Sequence, residues 1–301
     1  MNRNEMGLII LDDLNRLEKE EAGRKKKVWL EKDNKEYLFK AGASNYEIFA
    51  EVISSELAKQ CGIETAEYDI AIYNGIIGVV TPSFLKTGDN ILSGEELYDL
   101  SKSINPNLIP ENSIENILKI LSFCTSRQEE IEKLKEKLTY IWLFDGLIYE
   151  SDRNFSNWSI IINGRDVKMA PLYDCSTMCR MNNNIHSLIN SLSMGHDVNT
   201  LMSSMKFQLK RKSIDNEDNF IDSFHEFCIE EPEIAGDFIK SLDNINVEKA
   251  CESIEQRMSD NGEKTFEFPW ECSFWINKII NQRIITLKNI YELTKTHNKK
   301  Y

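Results

Sequence analysis

The chain predicts an α+β fold in two lobes, a small β-rich lobe with one helix followed by a larger, mainly helical lobe. Three observations predict it. Before residue 86, short alternating apolar runs are broken by Asn, Asp and Gly, with a single helical stripe among them. After it, the apolar spacing is mostly that of amphipathic helices. One β-hairpin interrupts those helices, and Asp152, Asn157 and Asp174 gather around it. At 301 residues two lobes are more natural than one compact unit, and the expected division is 1–85 and 86–301.

The first lobe reads β-β-α-β-β. Residues 28–30 and 36–40 flank a turn at Asp33, Asn34 and Lys35. From 45 to 61 the stripe Tyr46, Phe49, Ala50, Ile53, Leu57 and Ala58 predicts a helix, with Gly62 suited to its C-terminal turn. Residues 66–73 and 76–81 form a second hairpin through Asn74 and Gly75. In the second lobe, helices are expected at 113–123, 128–150, 217–230, 233–243, 247–259 and 273–296, punctuated by Pro232 and Pro269. Its only expected strands are 158–162 and 167–170, joined through Asn163 and Gly164. Trp270 and Trp275 are expected to pack the last helices onto the core.

Composition narrows the function classes. A net charge of -13 argues against broad nucleic-acid binding, despite the local cluster Arg24, Lys25, Lys26 and Lys27. No run of about 18 apolar residues predicts a membrane span. The patch at 8–11 is too short for a signal peptide and meets Asp12 and Asp13 at once. Seven cysteines, an odd number, suggest reduced thiols and a cytoplasmic setting, with secretion into a host cell left open. Cys175, Cys179 and nearby His186 invite a zinc reading, but no second pair completes it, so a structural role is preferred.

An Asp to accept a hydroxyl proton, with an Asn and a second Asp to hold Mg²⁺, is the equipment of a phosphotransferase of the protein-kinase type. Lys40 ends a strand and precedes a helix carrying Glu47 and Glu51. A strand lysine paired to a helix glutamate can hold the α- and β-phosphates of ATP. Each residue also has a plainer reading. Asp152 suits a turn, Asn157 a cap, Asp174 the N-cap of a helix at 175–179, and Glu51 a solvated helix face. Those readings do not explain the combination of a helix, D-x4-N, an Asn-Gly hairpin and an apolar-Tyr-Asp ending.

The run D-R-N-F-S-N at 152–157 followed by A-P-L-Y-D at 170–174 resembles the catalytic segment of HipA-like bacterial Ser/Thr kinases. The usual form there is a D-R-H-x-x-N turn, a strand pair and A-P-x-Y-D. The resemblance extends through Y-L-F-K at 37–40, E-V-I-S-S-E-L-A at 51–58 with Gly62, Y-D-I-A-I-Y-N-G at 68–75 and S-G-E-E-L at 93–97. The compact, single-chain CtkA-type branch is the nearer in kind, since the 39 residues before Lys40 leave little room for the longer N-terminal region of the toxins. The resemblance implies a two-lobed kinase-like fold using ATP and Mg²⁺. Asp152 would be the catalytic base, Asn157 and Asp174 the metal ligands, Lys40 the phosphate contact and Glu51 its orienting partner. Gly23, with Arg24 to Lys27, would supply the phosphate-covering loop, and backbone at 82–85 would hold adenine.

An unidentified protein substrate and an antitoxin-like regulator are the implied partners. Self-phosphorylation would fall on Ser176, Thr177, Ser187, Ser191 or Ser193, a stretch whose plainer reading is a flexible loop. Three departures stand out. Asn154 replaces the usual His, Trp158-Ser159 stands where Trp-Gly is common, and Gly23 is a lone glycine. Residues 1–39 contain no Ser or Thr, so the toxins' phosphorylated-serine switch has no counterpart there. Two other readings remain open: a small-molecule or lipid phosphotransferase, and a nucleotide-binding pseudokinase acting through partners.

Overall fold

The computed structural model describes residues 1, 8–19, 27–42, 44–109, 111–181, 185–202, 205–212, 220–258 and 268–298. Its first part is a six-stranded sheet built from β1 (Ile9–Ile10), β2 (Asn15–Arg16), β3 (Lys27–Lys32), β4 (Lys35–Ala41), β5 (Asp69–Tyr73) and β6 (Ile76–Pro82), in spatial order β1-β5-β6-β4-β3-β2. Strand β1 runs parallel to β5 and the other neighbours are antiparallel. Both expected hairpins form, with Asp33, Asn34, Asn74 and Gly75 all at positive φ in the turns. Strands β1 and β2 were not expected, because two-residue strands carry no alternation to read.

Helix α1 (Asn45–Gln60) starts at Ser44, whose hydroxyl accepts the Glu47 N–H, and it ends before Gly62 at φ 74°. It packs on β5 and β6. Alternation along β4 then separates two environments. Phe39, with Tyr37, joins a small cluster of Leu11, Leu14, Val28, Leu30, Ala71 and Val80. Leu38 and Lys40 instead line a cleft.

The second part opens with β7 (Asn90–Ser93) and α2 (Gly94–Ile104). Ser93 and Glu96 close a capping box at the start of α2. Next come α3 (Ile114–Leu121) and α4 (Gln128–Ile148), then the hairpin β8 (Ser159–Asn163) and β9 (Asp166–Met169). The hairpin was expected as an isolated pair, yet β7 adds antiparallel to β8 and makes three strands. Its sequence, Asn90-Ile-Leu-Ser93, is too short to read alone and gains stability from the β8 edge.

Among the described residues the remaining α-helices are α5 (Ile185–Ser193), α6 (Val198–Met202), α7 (Phe220–Glu230), α8 (Pro232–Ser241), α9 (Val247–Met258) and α10 (Trp270–Asn298). The run carrying Ser187, Ser191 and Ser193 is thus helical, not a loop. Trp275 is fully buried and its indole N–H donates to the Cys179 carbonyl at 2.8 Å. Trp270 does not pack into the core. It is 66% exposed and meets the half-exposed Phe274 edge to face, one turn further along α10. Among the described residues no helix is long and apolar enough to cross a membrane.

Candidate active site

The site is built where the two sheets face each other, starting from Lys40 near the end of β4. Its ammonium donates to Glu51 Oε1 on α1 and to Asp174 Oδ1 at 2.6 Å. Lys40 and Glu51 are both buried. Burial alone would lower the Lys40 pKa, but the Glu51 and Asp174 carboxylates outweigh it and hold the ammonium above its ordinary value. Burial pushes the Glu51 carboxyl up, against the pull of Lys40. The plainer reading of Glu51 as a solvated helix residue is therefore wrong.

Asp174 has φ 55°, a left-handed conformation that a residue with a Cβ seldom adopts. Its neighbours explain how it is held. The Tyr173 carbonyl accepts from Arg153 Nη1 at 2.5 Å, and the Cys175 N–H donates to Glu51 Oε2 at 3.1 Å. A buried cation and a buried anion thus grip the peptide groups on either side of Asp174. Upstream, the Ala66 N–H donates to the Leu172 carbonyl and the Leu172 N–H to the Glu64 carbonyl across a parallel bridge at Thr65 and Leu172, which lays this segment beside the chain leaving α1.

The loop after α4 carries Asp152. Tyr149 closes α4 at φ 54°, and the chain then turns through Glu150 to Asp152. Arg153, 1% exposed, forms a two-pronged ion pair with Asp145 on α4, both contacts at 3.0 Å. Its Nη1 also donates to the Asn157 carbonyl at 2.7 Å and its Nη2 to Cys175 Sγ at 3.1 Å. One guanidinium therefore clamps the Asp152 loop to the Asp174 segment. Glu150, also buried, accepts the Asp152 N–H at 2.8 Å, the Thr177 N–H at 3.0 Å and the Thr177 hydroxyl. Burial raises its pKa to about 7.

Asp152 itself is half-buried. Its Oδ1 accepts from Asn154 Nδ2 at 3.1 Å and from Gln208 Nε2 at 2.9 Å. Asn157 ends a 3₁₀ turn at Phe155–Asn157, and its Nδ2 donates to the Asp152 carbonyl at 2.6 Å. That bond points the amide nitrogen back into the loop, and among the described residues Oδ1 has only a long contact, 3.4 Å, from the Ser156 hydroxyl. Gly94 completes the support. A Cβ there would stand 2.4 Å from the Trp158 ring and 2.6 Å from the Phe155 carbonyl, so only glycine lets α2 approach this loop.

Between the two parts lies a cleft of about 240 Å³. Trp29, Leu38, Tyr68, Leu85 and Ile91 give it apolar walls, and Lys27, Lys40, Ser156, Ser159 and Asp174 give it polar ones. Thr81 to Leu85 line it as well, where the adenine-holding backbone was expected. The mixture suits a flat base joined to a charged tail. Among the described residues no three His, Cys, Asp or Glu side chains group as metal ligands. The oxygens of Asn157 and Asp174 fit a hard cation such as Mg²⁺, which takes one or two protein ligands and completes its shell with phosphate and water.

The structure therefore brings Lys40, Glu51 and Asp174 into direct contact, and it joins Asp152 and Asn157 to them through Arg153. Gly23, with Ala22 and Arg24 to Lys26, lies outside the described residues; β2 and β3, which flank that stretch, are antiparallel neighbours. Cys175 and Cys179 are buried free thiols raised well above their ordinary pKa by burial; Cys175 Sγ accepts from Arg153, and Cys179 Sγ donates to the Ile148 carbonyl. Sequence reasoning gave no role to Asp145, Glu150, Arg153 or Gln208. Asp145 had a signal: it is the one charge in the apolar end of α4, from Ile141 to Ile148. A charge so placed needs a buried partner, and Arg153 is eight residues on.

The fold finds counterparts among known proteins. The family model described as the HipA-like C-terminal domain matches residues 20–259. Comparison with curated proteins gives no match. Among solved structures, the proinflammatory kinase CtkA of Helicobacter pylori superposes with a TM-score of 0.69 at 14% identity, covering 96% of this chain and 99% of the other. HipA of Shewanella oneidensis, solved with HipB and operator DNA as a toxin–antitoxin system, gives 0.56 at 14% identity over 92% of this chain and 67% of its own. Those two likenesses establish a kinase-like fold. With most of its length matched by the family model, the chain belongs to the HipA-like C-terminal domain family.

Proposed function

We propose that the protein is an ATP- and Mg²⁺-dependent Ser/Thr protein kinase of the HipA type, able to phosphorylate itself. The observation that carries this reading is the triad in which the buried Lys40 pairs with the buried Glu51 and the half-buried Asp174, clamped through Arg153 to the loop of Asp152. Such a triad places a fixed positive charge and a metal-ligating carboxylate at one end of a cleft with apolar walls. Residues 1–85 would form the nucleotide-binding lobe and 86–301 the catalytic lobe.

Lys40, held charged by its two carboxylates, contacts the phosphates. Asp174 and Asn157 hold the metal. Bound ATP with Mg²⁺ supplies the phosphoryl group and neutralises charge developing on it. Asp152 accepts the proton of the substrate hydroxyl, and the cleft walls keep water from competing for the phosphoryl group. The kinase named in the Helicobacter structure supports the same chemistry, and the toxin–antitoxin system named in the Shewanella structure supports an antitoxin-like regulator as a partner.

Incubation with γ-labelled ATP and Mg²⁺, followed by mass spectrometry, tests this reading. The wild type should acquire phosphate on Ser or Thr, and Asp152→Ala and Asp174→Ala should not. ATP binding without transfer to the protein itself, to generic protein substrates or to small alcohols would overturn it in favour of a pseudokinase.

A further inference from the structure

We infer that Gln208 is a positioning residue for Asp152, a role that rests on the reading of Asp152 as the proton acceptor. The two Asp152 carboxylate oxygens are treated differently. Oδ1 takes two amide donors, Gln208 Nε2 and Asn154 Nδ2, whereas Oδ2 has no hydrogen-bond partner among the described residues. Two donors on one oxygen fix the rotation of the carboxylate about its last bond and leave the other oxygen for an incoming hydroxyl.

Both donors are themselves oriented. Asn154 Oδ1 accepts the Ser156 N–H at 2.9 Å and its hydroxyl at 2.6 Å, which turns the nitrogen towards Asp152. Gln208 sits in a stretch pinned on both sides of the loop. Its N–H donates to the Ser151 carbonyl at 3.3 Å, its carbonyl accepts from Asn112 Nδ2 at 3.2 Å, and Lys210 pairs with Ser113 in a parallel bridge. Asn112 Nδ2 also donates to the Arg153 carbonyl.

Packing does not demand a glutamine at 208. The adjacent Leu209 is the buried anchor, 2% exposed, while the Gln208 side chain is exposed. An exposed side chain held in line with the base by backbone bonds on either side is placed for its amide, not for its bulk. Asn154 stands where the related kinases carry His, so here the base is held by two neutral amides.

The experiment compares the wild type, Gln208→Met, Asp152→Ala and the double variant, all full-length. Gln208→Met keeps the length and removes the donor. It should lower kcat for ATP turnover roughly 3- to 10-fold, the size of one ordinary net hydrogen bond. KM for ATP and the thermal midpoint should stay as in the wild type. Added to Asp152→Ala it should change nothing further, because the carboxylate it serves is gone. Side-chain amide resonances of ¹⁵N-labelled protein give a readout without turnover: the Gln208 signal should move on Asp152→Ala. Unchanged kcat in Gln208→Met, or a Gln208 amide signal that Asp152→Ala leaves in place, would overturn the positioning role. Full activity of Asp152→Ala would instead overturn the reading of the base itself.

Discussion

Two aspartates, Asp152 and Asp174, flank one hairpin and differ in what surrounds them. Asp174 is bound to the buried Lys40 ammonium, in a strained backbone gripped by Arg153 and Glu51. Asp152 is half-buried and held by two neutral amides on one oxygen. The difference separates two tasks that one residue type can perform. On the proposed reading, the carboxylate fixed beside a cation holds the metal. A carboxylate among neutral donors, with one oxygen open, suits accepting a proton.

The sharpest way to break the comparison is to remove the open carboxylate. Asp152→Asn should reduce turnover by about 10²–10⁴-fold with the thermal midpoint unchanged. Steady-state rates beside melting curves decide it, and a variant that keeps most of its rate would merge the two roles. Arg153 is the link between the two aspartates, and its loss should act on the fold as well as the rate. Arg153→Ala strands the buried Asp145 and frees the Asn157 and Tyr173 carbonyls. It should cost roughly 3–5 kcal/mol in denaturant unfolding, the loss seen when one partner of a buried pair is removed.

Glu150 sharpens the account through pH. Burial lifts its pKa to about 7, above the unfolded value near 4.5. The folded state thus binds the proton more tightly, so this contribution is complete below about pH 4.5 and is lost as the pH rises through about 7. Subtracting the pH–stability curve of Glu150→Gln from that of the wild type should leave a fall of up to roughly 3 kcal/mol across this window. A flat difference curve would show that the carboxylate is not penalised. The smallest effect is expected at Gly94. Gly94→Ala should push Trp158 and the Phe155 carbonyl aside, lowering kcat a few-fold with little change in ATP affinity.

Much of this arrangement was legible in the sequence. The hairpins showed through Asn-Gly turns and alternation, and Lys40, Glu51, Asp152, Asn157 and Asp174 showed through their residue types, spacing and family resemblance. What stayed hidden depends on side chains meeting across long separations. Arg153 reads as an ordinary polar loop residue until Asp145 and the Tyr173 carbonyl are seen around it. Gln208 is 56 residues from the carboxylate that it meets. Strand β7 was missed because its four residues become a strand only against β8. Trp270 was misjudged for a different reason: indole size argues for burial, but its place at the first residue of α10 leaves it on the surface.

The most direct test of two aspartates with two tasks is calorimetric titration of ATP into Asp152→Ala and Asp174→Ala, each with and without Mg²⁺. Asp152→Ala should bind ATP with the wild-type dependence on Mg²⁺ while transferring no phosphate, and Asp174→Ala should lose the gain in affinity that Mg²⁺ provides. An undiminished Mg²⁺ effect in Asp174→Ala, or its loss in Asp152→Ala, would contradict the assignment.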